Sequence, residues 1–213
     1  RQQGIPYSGG NYKKYSHSLF FGDPDYGYEV DVYRLGSNYA HYFDNAWTFK
    51  QNFAVTKTET LGDSILASGR SVLPTIKRAI NNQDKQDVNY TLDNNLQRNF
   101  NFGLINYDVM VGVDMMRERS DYYRRTDTIN DFDVNNPSYG NISIKKVGVP
   151  TEEITYSQYA GLYLRNTIKI DDDWIIGLSG RHDWTQVEVD DLFNGTTLKN
   201  SDNAFTGNAS LMY

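Results

Sequence analysis

The sequence predicts an all-β protein in which antiparallel strands follow one another up and down. Three observations predict this fold class. Asp and Asn each occur 21 times among 213 residues and Glu only 6 times, so residues that favour turns outnumber strong helix formers. Aromatic residues make up 14% of the chain, with 17 Tyr and 10 Phe, and aromatic side chains favour strands. Apolar and polar residues also alternate with a period of two in seven separate runs.

The seven alternating runs are the predicted strands. In the most regular run, every second residue from Ile105 to Met115 is apolar or aromatic, whereas Asn106, Asp108 and Asp114 have the opposite parity. The first run alternates least regularly. The predicted strands cover residues 29–42, 46–60, 85–99, 104–118, 154–170, 174–190 and 204–213.

The connections between the runs alternate in length. Short turns are predicted at residues 43–45, 99–103 and 171–173, and long polar stretches at residues 61–84, 119–153 and 191–203. Outer-membrane barrels have short periplasmic turns and longer extracellular loops. A soluble sandwich gives no reason for one end to be systematically longer. The connections therefore favour a transmembrane β-barrel.

The lengths of the runs and the positions of tryptophan agree with strands that cross a membrane. The runs are about 12 to 17 residues long, and a membrane-crossing strand needs about 9–11. Trp47 lies at one run end, and Trp174 and Trp184 lie on the same side of another run, as aromatic girdles do. Alternation alone is identical in soluble barrels. A hydrophobic share of 38% is compatible with a barrel wall, in which only alternate residues are apolar.

Composition and motifs argue against several functions. A net charge of −6, without a long Lys/Arg stripe, argues against nucleic-acid binding. The absence of cysteine excludes disulfides and thiolate chemistry. Asp131, Asp133 and Asn135 imitate the start of a calcium loop, but Asn136 and Ile142 replace the required Gly and Glu. The three histidines show no ligand spacing. We expect neither catalytic residues nor a metal site.

Tyrosines in the long polar stretches are candidates for ligand contact. Tyr12 and Tyr15 lie in the first polar segment, and Tyr122 and Tyr123 in the segment 119–153. Tyrosine presents a flat apolar surface with one polar tip and loses little entropy on binding. The alternative role for these residues is packing between loops.

Three blocks of sequence resemble the TonB-dependent siderophore receptors. Residues 39–52, Tyr-Ala-His-Tyr-Phe-Asp-Asn-Ala-Trp-Thr-Phe-Lys-Gln-Asn, resemble a strand–turn–strand of that family. Residues 111–115, Val-Gly-Val-Asp-Met, resemble a second strand. The third block is the most specific and comprises residues 159–166, then Asp-Asp-Trp at 172–174, then Gly-Arg-His-Asp-Trp at 180–184. The order and spacing are most similar to the receptors for ferrichrome and other hydroxamate siderophores, although His182 replaces a usual Tyr and the ferrichrome receptor's Cys pair is absent.

The resemblance implies a fold and a function. Such receptors are antiparallel up-and-down barrels of about 22 strands whose lumen holds a plug domain. The chain, which begins at Arg1, is expected to be a middle section of the barrel without the plug. The implied function is active import of an iron–siderophore complex, of hydroxamate type, across the outer membrane of a Gram-negative bacterium. The implied partners are the TonB complex, outer-membrane lipid or lipopolysaccharide, and phage or bacteriocins, and no covalent cofactor is implied.

The resemblance also assigns candidate site residues. Tyr122 and Tyr123 are expected to contact the chelate, because the family has a ligand-facing aromatic residue in that loop, and Tyr12 and Tyr15 are further candidates. Two alternatives remain open: a passive porin or adhesin barrel, and a soluble secreted β-sheet binding module. Polar side chains expected to face the lumen or the plug are Asn95, Gln97, Asp108, Asp114, Arg165, Arg181 and Asp183.

Overall fold

The computed structural model describes residues 19–69, 74–171 and 173–213, most of which belong to one antiparallel sheet. The strands are β1 (Tyr28–Tyr42), β2 (Trp47–Ala67), β3 (Thr75–Ile76), β4 (Arg78–Asn101), β5 (Ile105–Ile129), β6 (Phe132–Asp133), β7 (Ile144–Lys146), β8 (Pro150–Ile170), β9 (Trp174–Asp191) and β10 (Thr196–Met212). The seven long strands lie in the order β1-β2-β4-β5-β8-β9-β10, β7 pairs with β5, and β3 pairs with β6. None of the described residues forms a helix long and apolar enough to cross a membrane.

Each long strand pairs with the next without a register shift. The ladder between β4 and β5, for example, runs from Ala79 opposite Thr128 to Asn101 opposite Asn106. Residues directly opposite each other in an antiparallel pair point to the same face of the sheet. The register therefore assigns every side chain of the seven long strands to one of two faces.

One of these faces is apolar and the other is polar. The apolar face includes Leu162, Leu164 and Leu178, which are 45–47% exposed in the isolated sheet. The polar face includes Asp114 and Arg181. A soluble protein rarely leaves a contiguous apolar surface of this extent uncovered. The apolar face is thus suited to contact with lipid.

Aromatic side chains band the apolar face at the end of the sheet that has the short turns, here called the short-turn end. Phe100 packs edge-on against Trp47 with 6.1 Å between ring centroids, and it stacks on Tyr107 at 5.9 Å. Trp184 lies ten residues beyond Trp174 on the same strand and the same face. Ten residues span about 33 Å of strand, or about 25 Å of height at a tilt of about 40°. This height equals that of the apolar band of an outer-membrane barrel.

The strands extend further from the short-turn end than the sequence predicts. Residues 61–67 and 78–84 are strand rather than loop, as are residues 119–129 and 150–153. The connecting loops are therefore shorter than the stretches 61–84 and 119–153. Beyond the apolar band both faces of the sheet carry polar residues, so the period-two hydrophobic signal disappears although the hydrogen-bonded ladder continues.

The third predicted long stretch, residues 191–203, is also wrong as a loop. A turn at residues 192–195 joins β9 directly to β10. The Asp191 carboxylate accepts bonds from the Asn194 backbone N–H at 2.8 Å and from its Nδ2 at 2.6 Å, and Gly195 supplies a φ of 66°. The strand that follows this Asx turn is polar on both faces at its start. Its apolar residues therefore do not alternate with polar ones, and the sequence pattern does not reveal the strand.

The short turns lie at or next to the predicted positions, although β4 continues to Asn101, so residues 99–101 are strand and the second turn comprises residues 102–104. Phe43 N–H donates to the Trp47 carbonyl at 2.9 Å across the first turn, in which Ala46 has a φ of 65°. Phe102 N–H donates to the Ile105 carbonyl at 2.8 Å across the second. The third lies between the end of β8 and the start of β9. These turns make the short-turn end tight, with one strand leading directly into the next.

Two small apolar clusters pack at the opposite end of the sheet, where Ile65 of β2 lies against a region that we call the upper cap (residues 19–26, 75–80 and 129–142). The first cluster is Phe21, Ile76, Phe132 and Val134, with Leu19 against it. The second is Ile65, Ile80 and Ile129, with Tyr26 and Ile142 against it. Segments that are far apart in sequence are thus packed into one unit above the sheet.

Candidate functional site

A charged network lies at the middle of the polar face and is centred on Arg181. The Arg181 Nη2 donates to both carboxylate oxygens of Asp114, at 2.7 and 3.0 Å. Its Nε donates to Asp183 Oδ1 at 2.6 Å. The two carboxylates come from β5 and β9, so the guanidinium reaches across β8, which lies between them. Charge-assisted bonds of this length are stronger than neutral ones.

Two tyrosines of β8 extend the network. The Arg181 guanidinium lies over the Tyr159 ring, 5.4 Å from its centroid, and over the Tyr163 ring at 5.7 Å. The Tyr159 hydroxyl donates to Asp183 at 2.7 Å. The Tyr163 hydroxyl donates to Asp93 Oδ2 at 2.8 Å. The two rings therefore hold the cation by cation–π contact, while their hydroxyls donate to Asp183, which is a partner of Arg181, and to Asp93.

Two glycines make room for these large side chains. Gly161 lies opposite both Asp114 and Asp183 in the register, and a Cβ there would overlap the Arg181 guanidinium and Asp114. Gly112 lies opposite Tyr163, and a Cβ there would overlap the Tyr163 ring. The network lies close against the backbone of β5 and β8 because these positions have no side chain.

All seven polar residues singled out from the sequence share the polar face. Three of them, Asp114, Arg181 and Asp183, belong to the network. Asn95 lies beside it and donates to Asp93 Oδ1 at 3.1 Å. Sequence reasoning missed Asp93, Tyr159, Tyr163 and the two glycines as members of the site. Their signal is the register itself, since Asp93, Asp114, Gly161 and Asp183 form one continuous row across β4, β5, β8 and β9.

The remaining three residues lie nearer the short-turn end. Gln97, Asp108 and Arg165 line a cavity of about 530 Å³ together with Thr48 and Lys169. Asp108 accepts a bond from Asn99 Nδ2 at 2.7 Å. This part of the polar face has the opposite charge balance to the network. Two cations, Arg165 and Lys169, line the cavity with one carboxylate, whereas the network contains one arginine and the three carboxylates of Asp93, Asp114 and Asp183.

The structure separates the tyrosine candidates. Tyr122 lies in β5, not in a loop, and the register places it on the polar face, opposite Lys85 and Glu153. Tyr123 follows it in the same strand and therefore points to the other face. Tyr12 and Tyr15 lie outside the described residues. Tyr122 is seventeen residues from the start of β5, or about 55 Å of strand, which is beyond the apolar band.

The upper cap is held together by Arg78, which is 1% exposed. Its guanidinium donates to the carbonyls of Asn130 at 3.0 Å and Phe21 at 3.1 Å, and it lies 5.2 Å from the Phe132 ring centroid. Burial lowers the pKa of Arg78, although the negative charge of Asp23 opposes that shift. One side chain thereby joins all three segments of the cap.

A second buried charge of this end is Asp127, which is 2% exposed. It accepts the Gly148 N–H at 2.8 Å and bonds from Arg125 Nε and Nη2. Burial raises the pKa of Asp127, but the bonds from Gly148 and Arg125 together outweigh burial and leave that pKa below its usual value. Asp127 therefore stays ionised, and its bond with Gly148 connects the C-terminal end of β5 to the segment before β8.

Long antiparallel strands, an apolar face banded by aromatic residues and a polar face with a charged network define the wall of a membrane β-barrel. The family "TonB dependent receptor-like, beta-barrel" matches residues 1–213, and the chain belongs to this family. It is 28% identical over 215 residues to the ferrioxamine B receptor of Salmonella typhimurium, covering 98% of this chain and 29% of that protein. It is 24% identical to the ferrichrome outer membrane transporter/phage receptor of Escherichia coli, covering 84% and 27% respectively.

Solved structures share the fold. The siderophore receptor PiuA of Acinetobacter baumannii superimposes with a TM-score of 0.84 at 15% identity, over 98% of this chain and 34% of PiuA. The FpvAI–pyocin S2 complex gives a TM-score of 0.70 at 19% identity, over 96% of this chain and 28% of that chain. The chain thus spans about a third or less of the proteins it matches. The expected antiparallel barrel fold and the Gram-negative outer membrane as its location are confirmed.

Proposed function

We propose that the protein acts in the uptake of iron–siderophore complexes, as an active transporter energised through TonB. The observation that carries the proposal is membership of the TonB-dependent receptor family along all of residues 1–213. The relatives are receptors and transporters rather than enzymes, which supports a role without catalysis. Because the chain covers less than a third of these relatives, the activity is proposed for the whole receptor.

The polar face is proposed to line the lumen of the barrel. It carries the Arg181 network at the height where the other face is apolar, so a polar interior is separated from lipid by one layer of strands. We assign Asn95, Gln97, Asp108 and Arg165 to the same lining. These side chains would contact water or the plug inside the barrel.

The ligand is proposed to be a ferric hydroxamate. The names ferrioxamine B receptor and ferrichrome transporter support this class of chelate. Tyr122 is the best-placed candidate contact among the described tyrosines, because it lies above the apolar band on the polar face. Tyr123 lies on the opposite face of β5. It is therefore a proposed contact only for a ligand that approaches the tip of this strand from outside the barrel.

Phage and bacteriocins are proposed as further partners of the exposed end. The Escherichia coli relative is named a phage receptor as well as a transporter, and FpvAI is bound to pyocin S2 in its structure. A rigid, packed protrusion suits protein docking because little order has to be gained on binding. The upper cap, with its two apolar clusters, is such a protrusion.

The proposal is tested by iron uptake in cells. The full-length receptor is expressed in a Gram-negative strain that lacks its own hydroxamate receptors, and uptake of ⁵⁵Fe is measured with ferrioxamine B, ferrichrome and a catecholate chelate. We expect uptake with a hydroxamate, and loss of that uptake when TonB is deleted. Uptake that persists without TonB would instead establish a passive porin. Absence of uptake with every chelate would remove the siderophore proposal.

A further inference from the structure

The apolar face carries a single ionised side chain between its aromatic bands, within the described strands. That side chain is Arg98 of β4, in the register row that contains Trp47, Val109 and Leu178. The other cations of this face, such as Arg117, lie at the height of Trp184 or beyond it. A charge on the lipid side of a barrel wall is costly unless it has a partner.

Arg98 is held between aromatic rings and forms no ion pair with any carboxylate among the described residues. Its guanidinium carbon lies 4.3 Å from the Phe100 ring centroid and 5.8 Å from that of Trp47. Its Nε is enclosed and makes no hydrogen bond to any described residue. Aromatic faces attract the cation but do not accept its N–H bonds as an oxygen does.

Two pairs of polar side chains in this band bond to each other. Gln51 Nε2 donates to Asn94 Oδ1 at 2.8 Å, and the Tyr107 hydroxyl donates to Asn166 Oδ1 at 2.6 Å. Each polar pair satisfies itself across a strand boundary, as required in a medium without water. Arg98 differs from them because no described residue accepts a hydrogen bond from its guanidinium. Its Nε is enclosed, so the terminal Nη groups are the donors left for a group outside the sheet.

The position of Arg98 along its strand indicates which group outside the sheet accepts its hydrogen bonds. Arg98 lies three residues before the end of β4, or about 10 Å of strand from the short-turn end. Short turns mark the periplasmic side of an outer-membrane barrel. A long Arg side chain at this level reaches the headgroup region of the periplasmic leaflet, which also accommodates the rings of the aromatic band.

We infer that Arg98, Trp47 and Phe100 form a binding site for the phosphate group of an anionic glycerophospholipid of the periplasmic leaflet. The guanidinium supplies the charge and a planar set of donors to the phosphate oxygens. The rings fix the orientation of the guanidinium and lie against the glycerol and the first acyl carbons. A phosphatidylglycerol headgroup suits the site because it has no ammonium group to compete with Arg98 for the phosphate.

The test is lipid retention by the full-length receptor, independent of iron transport. The receptor is purified in detergent and titrated with phosphatidylglycerol or phosphatidylethanolamine, and bound lipid is counted by native mass spectrometry. We expect preferential retention of phosphatidylglycerol and an approximately fivefold weaker retention in Arg98→Gln. Inorganic phosphate at millimolar concentration should not displace the lipid, because it lacks acyl chains.

Matched variants keep the test decisive. Lys50→Gln removes a cation from the polar face near the same end and should leave lipid retention unchanged. Arg98→Lys keeps the charge without the planar guanidinium, and it should assemble and retain lipid with intermediate strength. Equal retention of phosphatidylglycerol by the wild type and both Arg98 variants would overturn the inference. So would displacement by free phosphate, which would show an anion site without lipid specificity.

Discussion

Gly161 leaves open the space that the Arg181 guanidinium occupies on the polar face of the sheet. A Cβ at this position would overlap both the guanidinium and its partner Asp114. Arg181 lies on β9 and Asp114 on β5, and Gly161 belongs to β8, the strand between them. The two bonds from Arg181 Nη2 to Asp114 thus depend on the absence of a side chain at Gly161.

We therefore predict that Gly161→Ala destabilises the full-length receptor. The added methyl group would displace Arg181 from Asp114, with a loss of about 1–3 kcal/mol from weakened charge-assisted bonds. Guanidinium-induced unfolding followed by tryptophan fluorescence measures the change. Gly207→Ala is the matched control, because its Cβ would meet its nearest neighbour at an ordinary 3.5 Å. Equal stability of the two variants would contradict the role assigned to Gly161.

The faces of the strands were predictable, but the network was not. A period of two is enough to place Asn95, Asp114 and Arg181 on one side of their strands, and all seven predicted polar residues do share a face. Which residues meet across strands depends on register, and register depends on the exact length of each turn. The approach of Tyr163 to Asp93, 70 residues away, was therefore beyond sequence reasoning.

The ends of the strands were not predictable either, for a related reason. Within the membrane one face must be apolar, which creates the alternating signal. Above the membrane Tyr122 and Tyr123 both lie in water-facing strand, and nothing in the hydrophobic pattern distinguishes that strand from a loop.

The assignment of the apolar face to lipid predicts a strong asymmetry between neighbouring positions. Leu164 is on the apolar face, whereas Thr167, on the same strand, is on the polar face opposite Asp108. Leu164→Arg should cost about 2–4 kcal/mol and reduce assembly, as for a lipid-facing site near the bilayer midplane. Thr167→Arg should assemble normally. The yield of heat-modifiable barrel in outer-membrane fractions measures the assembly of both variants. Equal yields would contradict the assignment of the apolar face to lipid.

The upper cap should open when Arg78 is replaced. Arg78→Met keeps much of the volume but removes the bonds to the carbonyls of Phe21 and Asn130, a local loss of about 2–3 kcal/mol. Limited proteolysis should then cleave residues 129–142 several-fold faster, while the strands β8 and β9 remain protected. Arg119→Met, which removes an exposed arginine from the same sheet, should not change the cleavage rate. Unchanged cleavage in Arg78→Met would show that the cap does not depend on this side chain.

The lowered pKa of Asp127 predicts the pH dependence of the same end. A carboxyl whose pKa is lower in the folded state stabilises the fold at pH values above about 4, its ordinary pKa. That stabilisation is lost as the pH falls through the lowered value. Hydrogen-exchange protection of the Gly148 N–H should accordingly persist at pH 6 and decline in stronger acid. In Asp127→Asn the protection at pH 6 should already be weak, and a pH-independent wild type would refute the prediction.

Tyr122 and Tyr123 provide the sharpest test of the proposed ligand site, because they are adjacent in sequence and point to opposite faces. If the chelate is bound on the lumen side, Tyr122→Ala removes a flat apolar contact and should weaken ferric hydroxamate binding by about tenfold. Tyr123→Ala should bind normally and serves as the control for general loosening of β5. Titration of the full-length receptor by intrinsic fluorescence measures both. Normal binding by Tyr122→Ala would remove this residue from the site, and selective loss in Tyr123→Ala would place the ligand contact on the outer side of the strand tip.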